Sequence, residues 1–443
     1  MQYIPNILFI IALAAGVGYF TFNIRKIIRN IKLGHQVDAS DNTSERWGNV
    51  VRIALGQSKM VVRPIPGLLH IIVYVGFIII NIEVLEIIID GIFGTHRVLS
   101  TVLPIGLYNF LIASFEILAL LVLVGVILFW TRRNIQKLKR FWANEMKGWP
   151  KNDANYILYF EMVLMILFLT MNAADQQLQT LGATQYVEAG SYPVSKFIVP
   201  FFSNFSETTL IAIERGAWWL HILGILVFLN YLYFSKHLHI ILAFPNVYFG
   251  KVVPKGKFKN LDSVTNEVKM MMDPNVDPFA APAEGANQAP AKFGASDVMD
   301  LSRFQLLNAY TCTECGRCTS ECPANITGKK LSPRKIMMDT RDRLEEIGKN
   351  IDKNGEFKPD GKQLLDDYIT REELWACTTC NACVEACPVS IDPLSIIMDM
   401  RQYLVMEQSA APTELNVSMT NIENNGAPWP YNQMDRLNWK DEN

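Results

Sequence analysis

Eight cysteines, the whole cysteine complement of this 443-residue chain, lie in two copies of one spacing. Residues 312–323 and 377–388 both read C-x2-C-x2-C-x3-C-P. In this spacing three thiolates bind one [4Fe-4S] cluster, and the fourth binds a second cluster. Zinc sites and disulfide frameworks also use closely spaced cysteines, but they rarely place every cysteine of a chain in two such copies. The two runs therefore predict two [4Fe-4S] clusters.

Ligation is expected to cross between the runs, because the fourth cysteine of this pattern belongs to the other cluster. The first cluster is assigned to Cys312, Cys315, Cys318 and Cys387, and the second to Cys377, Cys380, Cys383 and Cys322. An oxidising compartment would pair the same sulfurs as disulfides. The cysteines thus predict that this part of the chain faces the cytoplasm.

Half of the residues are hydrophobic, and the apolar ones lie almost entirely before residue 250. Five segments are long and apolar enough to cross about 30 Å of hydrocarbon as helices. They cover residues 4–22, 67–89, 107–130, 156–173 and 217–242. A formal net charge of −2 gives no reason to expect a nucleic-acid partner. The composition indicates a multi-pass membrane protein with a soluble extension.

Basic residues indicate how the segments are oriented. The loops after the first and third segments are rich in lysine and arginine, whereas the second loop has only Arg97 and the fourth only Lys196 and Arg215. Loops rich in basic residues stay on the cytoplasmic side. We therefore expect an N-terminus outside, a location in the cytoplasmic (inner) membrane and a soluble extension in the cytoplasm.

The internal repeat of the soluble part extends beyond the two cysteine runs to the residues that follow them. Each run is followed by Ser332-Pro333 or Asp392-Pro393 and then by apolar residues at helical spacing, which predicts a capped helix in each copy. The predicted organisation is a membrane domain (1–250), a Pro-, Ala- and Gly-rich linker (251–300), an α-helical two-cluster domain (301–409) and an extended C-terminal tail (410–443).

Histidines near the ends of two apolar segments indicate a further cofactor. His221 and His239 are 18 residues apart in the fifth segment, which in one helix places them on one face, about 27 Å apart. His70 opens the second segment, level with His239, whereas His237 points about 160° away from that face. Two facing imidazoles are the axial ligands that a b-type heme needs. The alternative is that these histidines contact only lipid head groups.

Two of these segments resemble the diheme γ subunit of respiratory nitrate reductase and its relatives. The matching motifs are Leu-Leu-His70-Ile-Ile-x-x-x-Gly76-Phe in the second segment, and Leu-His221 with Ser235-x-x-x-His239-Ile in the fifth. The resemblance implies five helices with one heme b near each membrane face, the inner one on His70 and His239. The outer heme would use His221 and a residue ten positions after His70. That residue is Ile80 here, so a second ligand is missing or comes from another subunit.

The soluble part resembles the iron–sulfur part of heterodisulfide reductase small subunits, of the anchor subunit of anaerobic glycerol-3-phosphate dehydrogenase, and of membrane-bound iron–sulfur oxidoreductases linked to electron-transferring flavoprotein. The fold class that follows is mainly α: a five-helix transmembrane heme-binding bundle followed by an α-helical two-cluster ferredoxin domain. Many members of this group use a domain with a Cys-Cys-Gly signature. No two cysteines are adjacent here, so we expect a separate soluble oxidoreductase partner, of the Cys-Cys-Gly or flavin-linked type.

These features predict a membrane-bound electron-transfer subunit that passes electrons between a cytoplasmic oxidoreductase partner, two [4Fe-4S] clusters, heme b and the quinone pool. The alternative is a membrane-anchored redox sensor or docking subunit without quinone turnover. Acidic residues within the apolar segments have two interpretations. One is proton transfer to or from a quinone, which the deeper pair, Glu83 and Glu116, favours. The other is that Glu86 and Asp90 reach the outer membrane surface and Glu161 the inner one.

Overall fold

The chain is mainly helical. The computed structural model describes residues 3–254, 256–258, 260–274 and 292–441, apart from the side chains of residues 262 and 263. The first five long helices are α1 (Ile4–Lys32), α2 (Pro64–Phe93), α3 (Ile105–Asn134), α4 (Trp149–Leu181) and α5 (Glu207–Tyr231). They are followed by α6 (His239–Tyr248), α7 (Asp262–Met272), α8 (Arg303–Thr311), α9 (Pro333–Asn354), α10 (Pro393–Met406) and α11 (Thr413–Asn425). No β-strand occurs within these ranges.

Short helices connect the long ones. They are Thr43–Asn49, Val50–Leu55, Leu99–Val102, Arg317–Ser320, Pro323–Ile326, Leu364–Asp367, Arg371–Trp375 and Ala382–Ala386. Two of them, Arg317–Ser320 and Ala382–Ala386, lie inside the two cysteine runs and contact each other. The two runs are therefore neighbours in space as well as copies in sequence.

The five membrane segments predicted from the sequence are confirmed as helices long and apolar enough to cross a membrane. Each has at least 28 residues, counting a final 3-10 turn on the fifth, and so exceeds about 30 Å of hydrocarbon at 1.5 Å per residue. Neighbouring helices in the chain pack on each other from α1 to α5, and α5 returns to α1. The five helices therefore form a closed bundle.

The prediction of one continuous helix over residues 217–242 is wrong. α5 and its final turn end before Ser235, which is extended (φ −110°, ψ 147°). The Ser235 hydroxyl accepts a hydrogen bond from the backbone N–H of His237 at 3.1 Å. A serine side chain that bonds nearby backbone groups competes with the backbone hydrogen bonds of a helix. The next helix, α6, begins at His239. His221 and His239 therefore do not lie on one straight helix face.

The cysteine-bearing part packs directly on one end of the bundle. Its hydrophobic core is continuous with apolar side chains of α1, of the chain between α5 and α6, and of α6: Ile27, Leu232, Leu238 and Leu242. The Asn30 amide of α1 donates to the Tyr310 hydroxyl at 3.0 Å, and the Asn246 amide of α6 donates to the Val389 carbonyl at 2.8 Å. This is the end from which the basic loops leave the bundle. A shared core therefore holds the two parts together.

The capped helices predicted after each cysteine run are confirmed. α9 and α10 both begin with proline. The Ser332 hydroxyl accepts from the Lys335 N–H at 3.4 Å, and the Asp392 carboxylate accepts from the Ser395 N–H at 3.0 Å. The internal repeat is thus a cluster-binding run followed by a capped helix, as the sequence pattern indicates.

The predicted linker and tail are both more structured than expected. The linker range includes α7, and its last residues join the soluble unit, since the Ala295 N–H donates to the Asp399 carbonyl at 3.0 Å. Residues 275–291, the centre of that range, lie outside the described residues. The tail is helical in α11, and the prediction of an extended conformation is wrong. Leu415, Met419 and Ile422 recur at helical spacing there, a pattern that the polar composition obscures.

Candidate functional site

Two cavities in the soluble part divide the eight cysteines between them. The first, of about 390 Å³, is lined by Cys312, Cys315, Cys318 and Cys387, together with Cys383. The second, of about 310 Å³, is lined by Cys322, Cys377, Cys380 and Cys383. None of the eight forms a disulfide. The structure thus brings together the two sets that crossed ligation predicts, and the binding of the clusters themselves stays a prediction.

Both cysteine runs follow the same backbone course. The residues on either side of the second cysteine have positive φ angles in each run: Glu314 (55°) and Gly316 (70°) in the first, Thr379 (56°) and Asn381 (60°) in the second. Glycine and asparagine adopt this left-handed conformation readily. Glutamate and threonine do so at a cost, so the fold holds these loops in the shape that turns the sulfur atoms inward.

The surroundings of the sulfurs fit iron–sulfur clusters. The backbone N–H of Thr379 donates to Cys377 Sγ at 3.4 Å, and that of Ile391 donates to Cys387 Sγ at 3.3 Å. Burial raises the pKa of the Cys387 thiol to about 11. Such a buried sulfur becomes a thiolate at neutral pH only when a bound cation compensates its charge. Amide–sulfur hydrogen bonds are one means by which proteins tune cluster potentials.

The two cavities differ in charge. Arg317 and Arg334 line the first cavity, and both are buried, at 5% and 0% exposure. No charged residue occurs among the described residues that line the second cavity, although Arg401 donates to the Cys377 carbonyl at 2.6 Å. Guanidinium groups offset the negative charge of a thiolate-bound cluster. Arg334 is already paired with the Glu145 carboxylate at 2.6 Å, so Arg317 is the cation of the first cavity that is placed to offset cluster charge.

The cavities also differ in location. The first cavity lies against the membrane domain, in contact with Lys59 of the loop between α1 and α2. The Lys59 ammonium donates to the Cys387 carbonyl at 3.2 Å, and the Arg317 guanidinium donates to the Lys59 carbonyl at 3.0 Å. The second reaches the surface at Cys380, which alone among the eight cysteines is exposed. One cavity thus faces the bundle and the other faces solvent.

Three histidines meet at the end of the bundle beside the first cavity. The rings of His237 and His239 are 5.4 Å apart. Burial, with the nearby imidazoles of His239 and His70, lowers the pKa of His237 to about 3. Arg317, which lines the first cavity, is close enough to His70 to interact with it electrostatically. The structure therefore places His70 near His239 and adds His237, because the break at Ser235 redirects it. That His70 and His239 bind a heme stays a prediction.

His70 and His239 fit a heme. Nδ1 of His239 lies 3.1 Å from the Lys236 carbonyl, which leaves Nε2 available to a metal. Metal-bound histidines usually donate their second N–H in this way. Nδ1 of His70 is buried and has no hydrogen-bond partner in the part of the chain that the structure describes. His237 instead has Nε2 3.7 Å from a Glu161 carboxylate oxygen, so Glu161 faces this histidine group.

His221 is isolated from the other five histidines. Its Nδ1 lies 3.0 Å from the Leu164 carbonyl, and its ring packs 5.9 Å from that of Phe168. Ile80 and Phe168 belong to one buried apolar cluster that also contains Trp218 and Ile222. In the described part of the chain, apolar side chains therefore surround His221, and no second imidazole joins it. These residues do not fit a second heme.

An ion-pair chain links the first cysteine loop to His239. Glu314, two residues after Cys312, is 3% exposed and forms ion pairs with the Lys236 ammonium and, at 2.8 Å, with Arg341. The carbonyl of the same Lys236 is the partner of His239 Nδ1. Sequence reasoning missed this contact. The available signal was that Glu314 occupies the place of Thr379 in the repeat.

Substituting Gly316 by alanine is expected to disrupt the first cysteine loop selectively. An added Cβ would lie 2.5 Å from Arg334 Nη1, at a φ of +70°, so both the backbone and the buried guanidinium would have to move. We expect loss of about four of about eight irons per chain, measured as non-heme iron. Gly328→Ala is the matched control, because that glycine also has positive φ but nothing lies within 4 Å of its Cβ position. Equal iron loss in both variants would contradict this prediction.

Comparison with known proteins identifies the soluble part. Residues 311–391 match the family described as a 4Fe-4S dicluster domain. The chain therefore carries such a domain, and the matched residues include all eight cysteines that line the two cavities. No solved structure matches the chain.

Relatives extend the similarity to the membrane domain. The chain is 31% identical over 470 residues to the probable iron-sulfur-binding oxidoreductase FadF of Bacillus subtilis (strain 168), covering 98% of this chain and 61% of the relative. It is 26% identical over 434 residues to the EtfAB:quinone oxidoreductase of Syntrophomonas wolfei subsp. wolfei, covering 92% and 55%. The chain thus spans less than two thirds of either relative.

A third relative matches a shorter region. It is one of the subunits of the ferredoxin/F(420)H(2)-dependent CoB-CoM heterodisulfide reductase of Methanosarcina acetivorans, 29% identical over 130 residues, covering 29% of this chain and 66% of the relative. The predicted similarity to iron–sulfur oxidoreductases and heterodisulfide reductase subunits is confirmed. The resemblance of the membrane domain to a nitrate reductase γ subunit stays a prediction.

Proposed function

We propose that this protein is a membrane-bound electron-transfer subunit that connects a cytoplasmic oxidoreductase partner with the quinone pool. The observation that carries the proposal is spatial order. An exposed cysteine-lined cavity, a buried cysteine-lined cavity and a group of histidines follow one another from the solvent-facing surface into the end of the helix bundle. Electron carriers placed in such an order connect a soluble partner with the membrane.

Each set of residues has a defined task in this proposal. The crossed sets of cysteines hold two [4Fe-4S] clusters, and His70 and His239 hold one heme b. When bound, these groups take up and release single electrons. Arg317 offsets negative charge at the first cysteine set, and the Lys236 carbonyl orients His239. His221 is assigned to packing in the bundle rather than to a second heme.

The partners and the location are part of the proposal. The name of the Syntrophomonas wolfei relative, an EtfAB:quinone oxidoreductase, supports a quinone in the membrane and a flavin-linked soluble partner. A partner of the Cys-Cys-Gly type is the other candidate class. The basic loops and the cysteine domain lie at the same end of the bundle, which supports a cytoplasmic domain on a multi-pass inner-membrane protein.

Cofactor content tests the proposal. The full chain, purified anaerobically in detergent, is expected to contain about eight irons, about eight sulfides and one heme b. His70→Ala and His239→Ala are each expected to lose the heme and keep the iron, because an axial ligand is removed while the cysteine domain stays folded. His221→Ala is the control that keeps the heme. Optical and iron assays measure both.

Reduction by a quinol analogue separates the two candidate functions. Together with a soluble partner, the electron-transfer subunit is expected to show a reduced heme spectrum when the quinol is added. A protein that contains clusters but no heme, or a heme that no quinol reduces, would exclude the proposal and favour the redox sensor or docking subunit. Two hemes per chain would show that His221 has a ligand role.

A further inference from the structure

A buried polar network occupies the end of the bundle opposite the cysteine domain. We call it the distal polar network and define it by residues of α2, α3, α4 and the loop after α2: Glu83, Glu86, Asp90, Arg97, Tyr108, Glu116, Asn172 and Asp175. Its charged residues are at most 9% exposed. The expectation that Glu86 reaches the membrane surface is therefore wrong, since it is 2% exposed. Five carboxyl groups share one guanidinium in this network.

Arg97 organises the network from its centre. Its Nε donates to Asp175 at 2.5 Å, its Nη2 donates to Asn172 at 2.8 Å, and its Nη1 donates to the Tyr108 hydroxyl at 3.3 Å. Its backbone N–H donates to Asp90 at 2.8 Å. A positive φ of 51° at Arg97 folds the loop back into the bundle. One cation is thus placed among several acids.

Three other carboxylates are stabilised by hydrogen-bond donors. Glu116 accepts from the backbone N–H groups of Val194 at 2.9 Å and Ser195 at 3.1 Å. Glu86 accepts from the Leu99 N–H at 2.9 Å and from the Tyr108 hydroxyl at 3.3 Å. Asp90 accepts two bonds besides that from Arg97. Such donors satisfy the oxygen atoms of these buried carboxyl groups.

Glu83 is the exception. It is 2% exposed, its Oε2 has no hydrogen-bond partner among the described residues, and its Oε1 lies 3.8 Å from Arg97 Nη1, beyond hydrogen-bond distance. The charged groups around it come from every neighbouring element: Glu86 on α2, Arg97 in the loop, Glu116 on α3 and Asp175 on α4. A buried carboxylate without donors is expensive. Of the five acids, Glu83 is therefore the one placed to exchange a proton.

The network also reaches the solvent on the far side. Nε2 of His96 lies 3.7 Å from Asp175 Oδ1, and the His96 side chain is 19% exposed. The His96 ring packs 4.8 Å from that of Tyr186, whose hydroxyl donates to Glu214 at 2.9 Å. Arg215, the ion-pair partner of Glu214, is 41% exposed. Titratable groups thus lead from the far surface to the centre of the network.

We propose that the Glu83 carboxyl group binds a proton when an electron enters the membrane domain and releases it on reoxidation, exchanging it through the distal polar network with solvent on the face opposite the cysteine domain. The inference rests on the proposed electron transfer. The balance is simple: the carboxylate and one proton give the carboxylic acid, and the proton offsets the charge of one electron supplied by an added reductant. A charge entering a low-dielectric bundle favours such compensation.

Infrared difference spectroscopy tests the inference on the full chain in detergent. The reduced-minus-oxidised spectrum is expected to contain a band of a protonated carboxyl group that shifts in D2O. Glu83→Gln is expected to abolish the band, and Glu83→Asp to retain it in altered form. Glu161→Gln is the matched control that retains the band, because Glu161 is an acid of the same helix bundle that lies outside the distal polar network, 3.7 Å from His237.

A redox titration provides a second readout that needs no variant. The ratio of reduced to oxidised heme at fixed potential is expected to fall as the pH rises, by at most tenfold per pH unit, equivalent to 59 mV for one electron, and Glu83→Gln is expected to abolish this dependence. Normal heme and cluster reduction without the band and without pH dependence would overturn the inference alone. A protein without reducible heme would overturn the proposed function and this inference with it.

Discussion

Replacing Cys387 by serine is expected to remove the cluster of the first cysteine run and to spare the cluster of the run that contains Cys387. The reason is the arrangement of the cavities, in which Cys387 lines the same cavity as Cys312, Cys315 and Cys318. Iron content is expected to fall from about eight to about four atoms per chain. Non-heme iron analysis measures the loss, and electron paramagnetic resonance of the reduced protein identifies the lost cluster.

Pairs of variants make this test decisive. Cys318→Ser and Cys387→Ser are expected to lose the same resonance signal, whereas Cys380→Ser and Cys322→Ser are expected to lose the other. If ligation does not cross, Cys387→Ser will instead give the same spectrum as Cys380→Ser, its neighbour in the second run. That result would show that the four cysteines assigned to one cavity are not the four ligands of one cluster. Heme content serves as the folding control for all four variants.

Replacing Glu314 by glutamine is expected to cause a large loss of stability. Its carboxylate is buried between Lys236 and Arg341. Neutralising it removes the nearest counter-charge of both cations, which keep only the longer ion pairs with Asp153 at 3.8 Å and with Asp342 at 3.1 Å. Breaking a buried ion pair by removing one partner typically costs about 3–5 kcal/mol. We expect the apparent Tm of the detergent-solubilised protein to fall by roughly 10 °C, measured by differential scanning fluorimetry.

Two further variants distinguish the loss of this ion pair from a general loss of stability on substituting a glutamate in this domain. Glu321→Gln is the matched control, because Glu321 pairs with Arg63 at 2.7 Å in the same domain but its side chain is 52% exposed. Exposed pairs contribute about 0–1 kcal/mol, so little change in Tm is expected. The double variant Glu314→Gln with Lys236→Met is expected to recover part of the loss. A fully additive double variant would contradict direct coupling between the two residues.

The same ion pair connects stability with function. Lys236 joins the first cysteine loop to the carbonyl that orients His239. A shift of Lys236 would therefore move the histidine relative to the cysteine loop. The pair Lys236–Glu314 fixes the spacing between two proposed electron carriers, in addition to holding the soluble domain on the bundle.

Some of this architecture is readable from local pattern. Long apolar runs and basic loops predict five membrane helices because the hydrocarbon thickness sets their length. The cysteine spacing predicts a dicluster domain because cluster geometry restricts the loop between ligands. Ser332 and Asp392 predict the starts of two helices because capping depends on neighbouring residues. Each of these inferences depends on residues close together in the chain, and for that reason periodicity and motif spacing were sufficient.

Contacts between distant residues required the folded structure. The break at Ser235 could not be read from an apolar segment, because a serine side chain interrupts a helix only where its surroundings favour the new hydrogen bonds. The joining of Lys236 to Glu314, 78 residues later in the chain, follows from docking of one domain on the other. The distal polar network likewise exists only because Arg97 folds back among acids of three helices. Local chemistry predicted the elements and the cysteine motifs, whereas long-range packing decided which charges and histidines meet.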